Sequence, residues 1–321
     1  MTAPGMPTRE IPTGITAEQA AILAAQQTYA AQQEALRQQL AAAVIALWAG
    51  TVTVGTSFDP GEAGKWVARI LPISLGAQRA MTALTVATLN QMHSPPRPIT
   101  IAPPLVTGEA LRGRDPAEYY DRPFREIRWR LSQGKTVEQA IDAGRRRAVS
   151  IATTDLQLAH TKTAQRYIQE SRRQRPGPNG RIVGYRRQLS SNPNHCALCL
   201  IASTLRYTRD NLMAIHPGCG CTVVPIYGDR DPGTTIDEGL LLQVHEAIRR
   251  DLGEKYQADD ARSGLAKYRD IIITHEHGEL GPVLSVRGHH FERDPDRPGR
   301  LGRRRVNPRP APEDIIDLDE L

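Results

Sequence analysis

The chain has 321 residues, a formal net charge of +6, 40% hydrophobic residues and only 5% aromatics. That length allows two or three domains with more than one small core, and 26 Gly and 24 Pro argue for helices joined by irregular connections, not a dense β-sandwich. The charge permits contact with nucleic acid or another acidic surface, no apolar run reaches the roughly 18 residues of a membrane span, and the opening residues do not read as a secretory signal.

Residues 1–15, rich in Pro, Gly and Thr, read as a disordered arm. A helical N-terminal region is expected over 16–93. Its first helix should fill 16–49, where Thr16 and Gln19 give a capping-box pattern and no Gly or Pro follows before Gly50. Ile22, Tyr29, Leu36, Leu40, Ile45 and Leu47 form an intermittent apolar stripe suited to a bundle. The Ala/Gln surface of the same helix is poor in charge and suits docking on partner subunits. Residues 52–59 read as a short strand or a loop. Helical spacing returns over 61–92, with Pro72 and Gly76 expected to split it into two pieces.

Five prolines in the eleven residues 94–104 mark an extended connector, taken as 94–114. A central helical region over 115–175 should hold helices at 115–133 and 136–170. Asp115-Pro116 supplies the first start and Gly134 its stop, while Thr136 and Gln139 repeat the capping box. Arg145, Arg146 and Arg147 fall mid-helix, on a solvated or phosphate-facing side.

From His160 to Ser190 eight Lys/Arg face a single acid, Glu170, around the turn Pro176-Gly177-Pro178-Asn179-Gly180. Arg172, Arg173, Arg175, Arg186 and Arg187 are candidate phosphate contacts, and so are Arg303, Arg304 and Arg305 further on. Such contact needs only flexible cations and is salt-sensitive; plain solvated surface is the competing reading. Strands are expected at 182–189 and 222–227, an amphipathic helix at 237–256, and a hairpin from strands 270–274 and 283–286. The tail 293–321 is Arg-rich, then acidic, and reads as disordered until bound.

All four cysteines lie in Cys196-Ala197-Leu198-Cys199 and Cys219-Gly220-Cys221, with nineteen residues between Cys199 and Cys219. Two short loops of this kind, in a chain read as cytosolic, suit one tetrahedral zinc ion with thiolate ligands at about 2.0–2.3 Å. His216, in His216-Pro217-Gly218, is an alternative ligand for one thiolate. His195 caps the site or lies on the surface. Thiols without metal, disulfide-linked loops and a catalytic zinc are the other readings, the last disfavoured because four thiolates leave no seat for water. A redox Cys-x-x-Cys would need a helix starting at the motif after a strand; Asn192-Pro193 before it and 200–204 after it do not suggest one. The expected fold is therefore mainly α, with a small α+β zinc-knuckle module over 176–292.

The run from Tyr185 to Pro225, with Cys-x-x-Cys, His-Pro-x-Cys-x-Cys and a Val-Val-Pro strand, resembles the C-terminal domain of the phage Mu F-like minor head proteins. The segments His275–Pro282 and Val286–His289 resemble the terminus of such proteins from phages of actinobacteria. The resemblance implies a minor capsid protein of a tailed-phage virion, present in the phage head after assembly in the host cytoplasm. It also implies portal or major capsid protein as partners, several copies per virion, possible contact with packaged double-stranded DNA and no membrane. The role implied is head morphogenesis, with genome packaging or ejection. Where that family often has Arg-Thr-Glu on the preceding helix this chain has His160-Thr161-Lys162, and Asn194 stands where an Asp is expected.

The alternative function is a capsid maturation protease, since related proteins are sometimes so described. Four of the nine histidines fall within 275–290, near Glu276, Glu279 and Ser285. No GxSxG elbow accompanies them, and a hairpin with solvent-facing His and Glu accounts for the same alternation. A His-Asn-His nuclease is disfavoured because His275-Glu276-His277 lies more than fifty residues past Cys221, and no GxxxxGK phosphate loop occurs.

Overall fold

A computed structural model describes residues 17–177, 180–189, 195–207, 221–227, 238–252, 272–277 and 281–286. The architecture is mainly helical, with a three-stranded antiparallel sheet and a two-stranded hairpin.

Helix α1 (Ala17–Thr51) runs through Gly50, and the Thr51 hydroxyl donates back to the Leu47 carbonyl at 2.6 Å. The proposed Thr16 cap lies outside the described residues. Within 52–59, expected as a short strand or a loop, the chain forms a short helix instead. Thr53 and Thr56 exchange side-chain and backbone hydrogen bonds in a reciprocal capping box, which starts the short helix α2 (Val54–Phe58). Local capping outweighs the β-branched character of this stretch.

Helix α3 (Pro60–His93) begins where the Asp59 carboxylate accepts the Gly61 and Glu62 amides, and it continues unbroken through Pro72 and Gly76. The expected break fails for a positional reason. Pro72 is exposed, as are Ala68 and Gly76 one turn away, so the carbonyl that proline leaves without an amide faces water. Ile70 and Ser74 on the opposite side stay buried and hold the helix through the proline.

The connector contains a 3-10 turn, Pro103–Leu105, and a one-turn helix, α4 (Glu109–Arg112). Residues 115–133 form two helices, α5 (Pro116–Tyr120) and α6 (Arg122–Ser132). Pro123 explains the division, because it lacks an amide hydrogen and fits only the first turn of a new helix. Asp115 caps α5 through the Ala117 amide, and Gly134 follows α6 with a φ of 74°. Helix α7 (Val137–Ser171) opens on the Thr136/Gln139 capping box that the spacing predicts.

Strands β1 (Ile182–Gln188), β2 (Arg206–Tyr207) and β3 (Thr222–Tyr227) form the sheet in the order β2-β1-β3, with Arg187 opposite Val223. Helix α8 (Ala197–Ser203) precedes β2, and α9 (Glu238–Leu252) packs on α8. Strands β4 (Ile272–His277) and β5 (Gly281–Val286) make the expected hairpin, longer at both ends of the turn than the sequence suggests.

Two cores share the long helices. The first gathers Trp48, Trp66, Tyr120, Phe124 and Ile127, with Trp48 stacked on Phe124 at 5.9 Å and set edge-on to Trp66 at 5.4 Å. Gly144 lets α7 approach α6 here: a Cβ at that position would lie 2.7 Å from the Ile127 side chain and 3.0 Å from the Pro123 carbonyl oxygen. The second core joins Leu89 and Met92 of α3 and Ala164, Tyr167 and Ile168 of α7 to the sheet through Tyr185, Val223 and Tyr227. Apolar packing therefore crosses the boundary drawn at residue 176. The central part of α7, from Ile151 to Thr161, is buried on every side.

Candidate functional site

The first cysteine pair starts a helix. Cys196 is the N-cap of α8, and its sulfur accepts the Cys199 amide at 3.3 Å. The sequence expectation that no helix opens at this motif is thus overturned; Leu200 and Ile201, buried against α9, supply the apolar contacts that sustain so short a helix. Cys199 and Cys221 are buried in the second core, and Cys196 packs against its margin.

Tyr207 lies between these thiols and a buried cation. Burial raises its phenol well above the usual range, the Arg187 guanidinium opposes that rise, and the Cys221 and Cys199 sulfurs add to it. Arg187 itself sits over the Tyr207 ring at 5.3 Å. Sulfur donors of this kind suit a soft divalent ion. Among the described residues no three His, Cys, Asp or Glu side chains gather as a ready ligand set. Cys219 and His216 lie outside those residues.

The loop around the first pair is tied to the end of α9. The Ala197 amide donates to Asp251 Oδ2 at 2.8 Å, and Arg250 donates to the His195 carbonyl at 2.8 Å and to Asp251 Oδ1 at 2.6 Å. The Arg250 hydrogen bonds hold the Asp251 carboxyl below the ordinary carboxylate range; burial opposes this and the Ala197 amide assists it. Of His195, the structure thus assigns the backbone a definite role.

Just beyond Cys221, β3 meets the bundle through His160. Its Nε2 accepts the Val223 amide at 3.1 Å, so the ring proton belongs on Nδ1, where it donates to the Tyr29 hydroxyl at 2.8 Å. Tyr29 donates in turn to Thr85 Oγ1 at 2.7 Å, and Thr85 to the Met81 carbonyl at 2.8 Å. The Gln33 amide lies 2.9 Å from the same Nδ1. A small pocket beside this ring is lined by Glu34, Arg37, Gln157 and Cys221. Burial pushes the Glu34 carboxyl up, but hydrogen bonds from Arg37 and Gln38 prevail and hold it below its usual value.

A second buried network was equally invisible in sequence. Gln78 donates to Ser74, Ser74 to Tyr120, and Tyr120 to Asp155, which also pairs with Arg112 at 2.6 Å. Gln78 accepts the Gly108 amide as well, so the network pins the connector to α3 and α7. The available signal was the composition of 151–161: a helical stretch without an apolar stripe, yet almost without charge, is a helix surrounded by protein.

The basic candidates divide by exposure. Arg172, Arg173 and Arg175 are exposed, with Arg173 paired to Glu170 at 2.7 Å. Arg186 and Arg187 are only 5% and 2% exposed, so they are not surface contacts as expected; β1 carries both into the sheet's surroundings. Arg303, Arg304 and Arg305 lie outside the described residues. On the hairpin, Ser285 pairs with Ile273 and His275 with Val283, with the Thr274–Leu284 pair between them.

Comparison with family profiles, with curated proteins and with solved structures finds no match to this chain.

Proposed function

We propose that the chain is a structural component of a tailed-phage head, a minor capsid protein that binds portal or major capsid neighbours during head assembly and genome packaging or delivery. The observation that carries this reading is the cysteine arrangement. Cys196 holds its sulfur against the Cys199 amide at the head of α8, and Cys221 enters the same packed core, on motifs that resemble those of the Mu F-like proteins. Cys196, Cys199, Cys219 and Cys221, or His216 in place of one of them, would hold zinc. The ion's chemistry here is structural, a crosslink between two loops too polar to make a core of their own.

Two surfaces support a binding role. No exposed position of α1 from Ala21 to Gly50 carries a charge, which favours docking of neighbouring subunits along it. Arg172, Arg173 and Arg175 stand in solvent, where cations meet phosphates of packaged DNA without sequence preference.

Elemental analysis of the purified chain tests the reading. Stoichiometric zinc is expected in the wild type and its loss in Cys196→Ser; wild type without zinc removes the site. With zinc present, chelation should melt the sheet region, because metal affinity on the order of 10 kcal/mol is coupled to folding in such sites.

A further inference from the structure

We infer that Arg250 and Asp251, at the end of α9, are positioning residues for the Cys196/Cys199 half of the thiolate site, an inference that rests on the zinc reading above. The two residues grip the chain on both sides of Cys196. Arg250 takes the His195 carbonyl on one side, and Asp251 takes the Ala197 amide on the other, each at 2.8 Å. Between these anchors the Cys196 sulfur is left facing the Cys199 amide, the geometry in which a thiolate is held by a backbone N–H.

The placement of Asp251 runs against the preference of its own helix. A carboxylate in the last turn of α9 faces the negative end of that helix, where cations such as Arg249 and Arg250 are favoured. Asp251 is stabilised instead by Arg250 and by an amide belonging to the cysteine loop. The apolar contact of α8 with α9, through Ala197, Leu200 and Ile201 against Leu240, Leu241, Val244 and Ile248, brings that carboxylate to the loop. Packing alone would be served by any residue at 251. An acid aimed at Ala197 is specific to fixing the loop, as partners around metal ligands do elsewhere.

The pair is tested on the full chain by zinc competition against a chromophoric chelator, with cobalt(II) loading read by its thiolate charge-transfer band. Asp251→Ala should weaken zinc binding about 10- to 100-fold and diminish the cobalt band at unchanged helical circular dichroism. Asp251→Asn keeps an oxygen that accepts the Ala197 amide, and it should restore most of the lost affinity. Arg249→Ala, which removes an exposed cation from the same turn of α9 and touches neither the packing nor the two hydrogen bonds, should leave the cobalt band at wild-type intensity. Wild-type zinc affinity in Asp251→Ala overturns the positioning role alone. Equal losses in the Ala and Asn variants overturn the hydrogen bond as its cause. A wild-type chain that takes up no zinc removes the thiolate site, and this inference with it.

Discussion

The two cores of this protein are held in different ways. Near α6 the contacts are aromatic and apolar: Trp48, Trp66 and Phe124 meet face and edge with α3, α5 and α7 closing around them. At the junction of bundle and sheet, hydrogen bonds among buried polar groups carry the alignment, with His160 reaching from α7 to Tyr29, Gln33 and the Val223 amide. An apolar core loses stability in proportion to what is removed, whereas a buried polar junction fails when one partner is missing. The first region sets how stable the molecule is, and the second sets how sheet and bundle are aligned.

The comparison breaks most visibly at Phe124. Phe124→Ala should cost about 3–5 kcal/mol and lower the thermal midpoint of the whole bundle by calorimetry. His160→Phe fills the same space but leaves the Val223 amide without its acceptor, so about 1–3 kcal/mol is expected. Hydrogen exchange should report that loss locally, with Val223 and its neighbours exchanging faster while the Trp48 region is unchanged. Equal protection at Val223 in variant and wild type would mean the junction is held by packing, like the first core.

A smaller effect should follow pH. Burial lowers the His93 pKa below its ordinary 6.5, the hydrogen bond to Gly180 opposes this, and Tyr167 and Tyr227 enclose the ring. The folded state therefore binds this proton less readily than the unfolded one. Its contribution to stability is complete above pH 6.5 and is lost as the pH falls toward and through the lowered folded value. His93→Phe should flatten that part of the stability profile in denaturant titrations at stepped pH.

What could be read from the sequence was what is local in it. Thr136 and Gln139 start α7 as their spacing requires, and Asp115-Pro116 and Gly134 bound their segments, because caps act within a few residues. Pro72 misled because its effect depends on which side of α3 faces water, a property of packing and not of the residue. The helix at Cys196 was missed for a related reason: seven residues sustain it only against α9, some forty positions away. Arg186 and Arg187 looked like surface charge since a basic run carries no mark of burial. The cysteine spacing raises the expectation of a metal from sequence alone, while the place of Asp251 beside the first cysteine pair is visible only with α9 packed on α8.

Helix α7 spans about 50 Å at 1.5 Å per residue, and each core leans on a different stretch of it. Anyone excising the cysteine-bearing part for separate study would cut through shared packing, leaving Ile182, Tyr185 and Tyr227 without Ala164, Tyr167 and Ile168 opposite. A usable fragment has to begin upstream of α7 and bring the end of α3 with it, so the smallest piece that preserves the cysteine region is nearly the full helical frame.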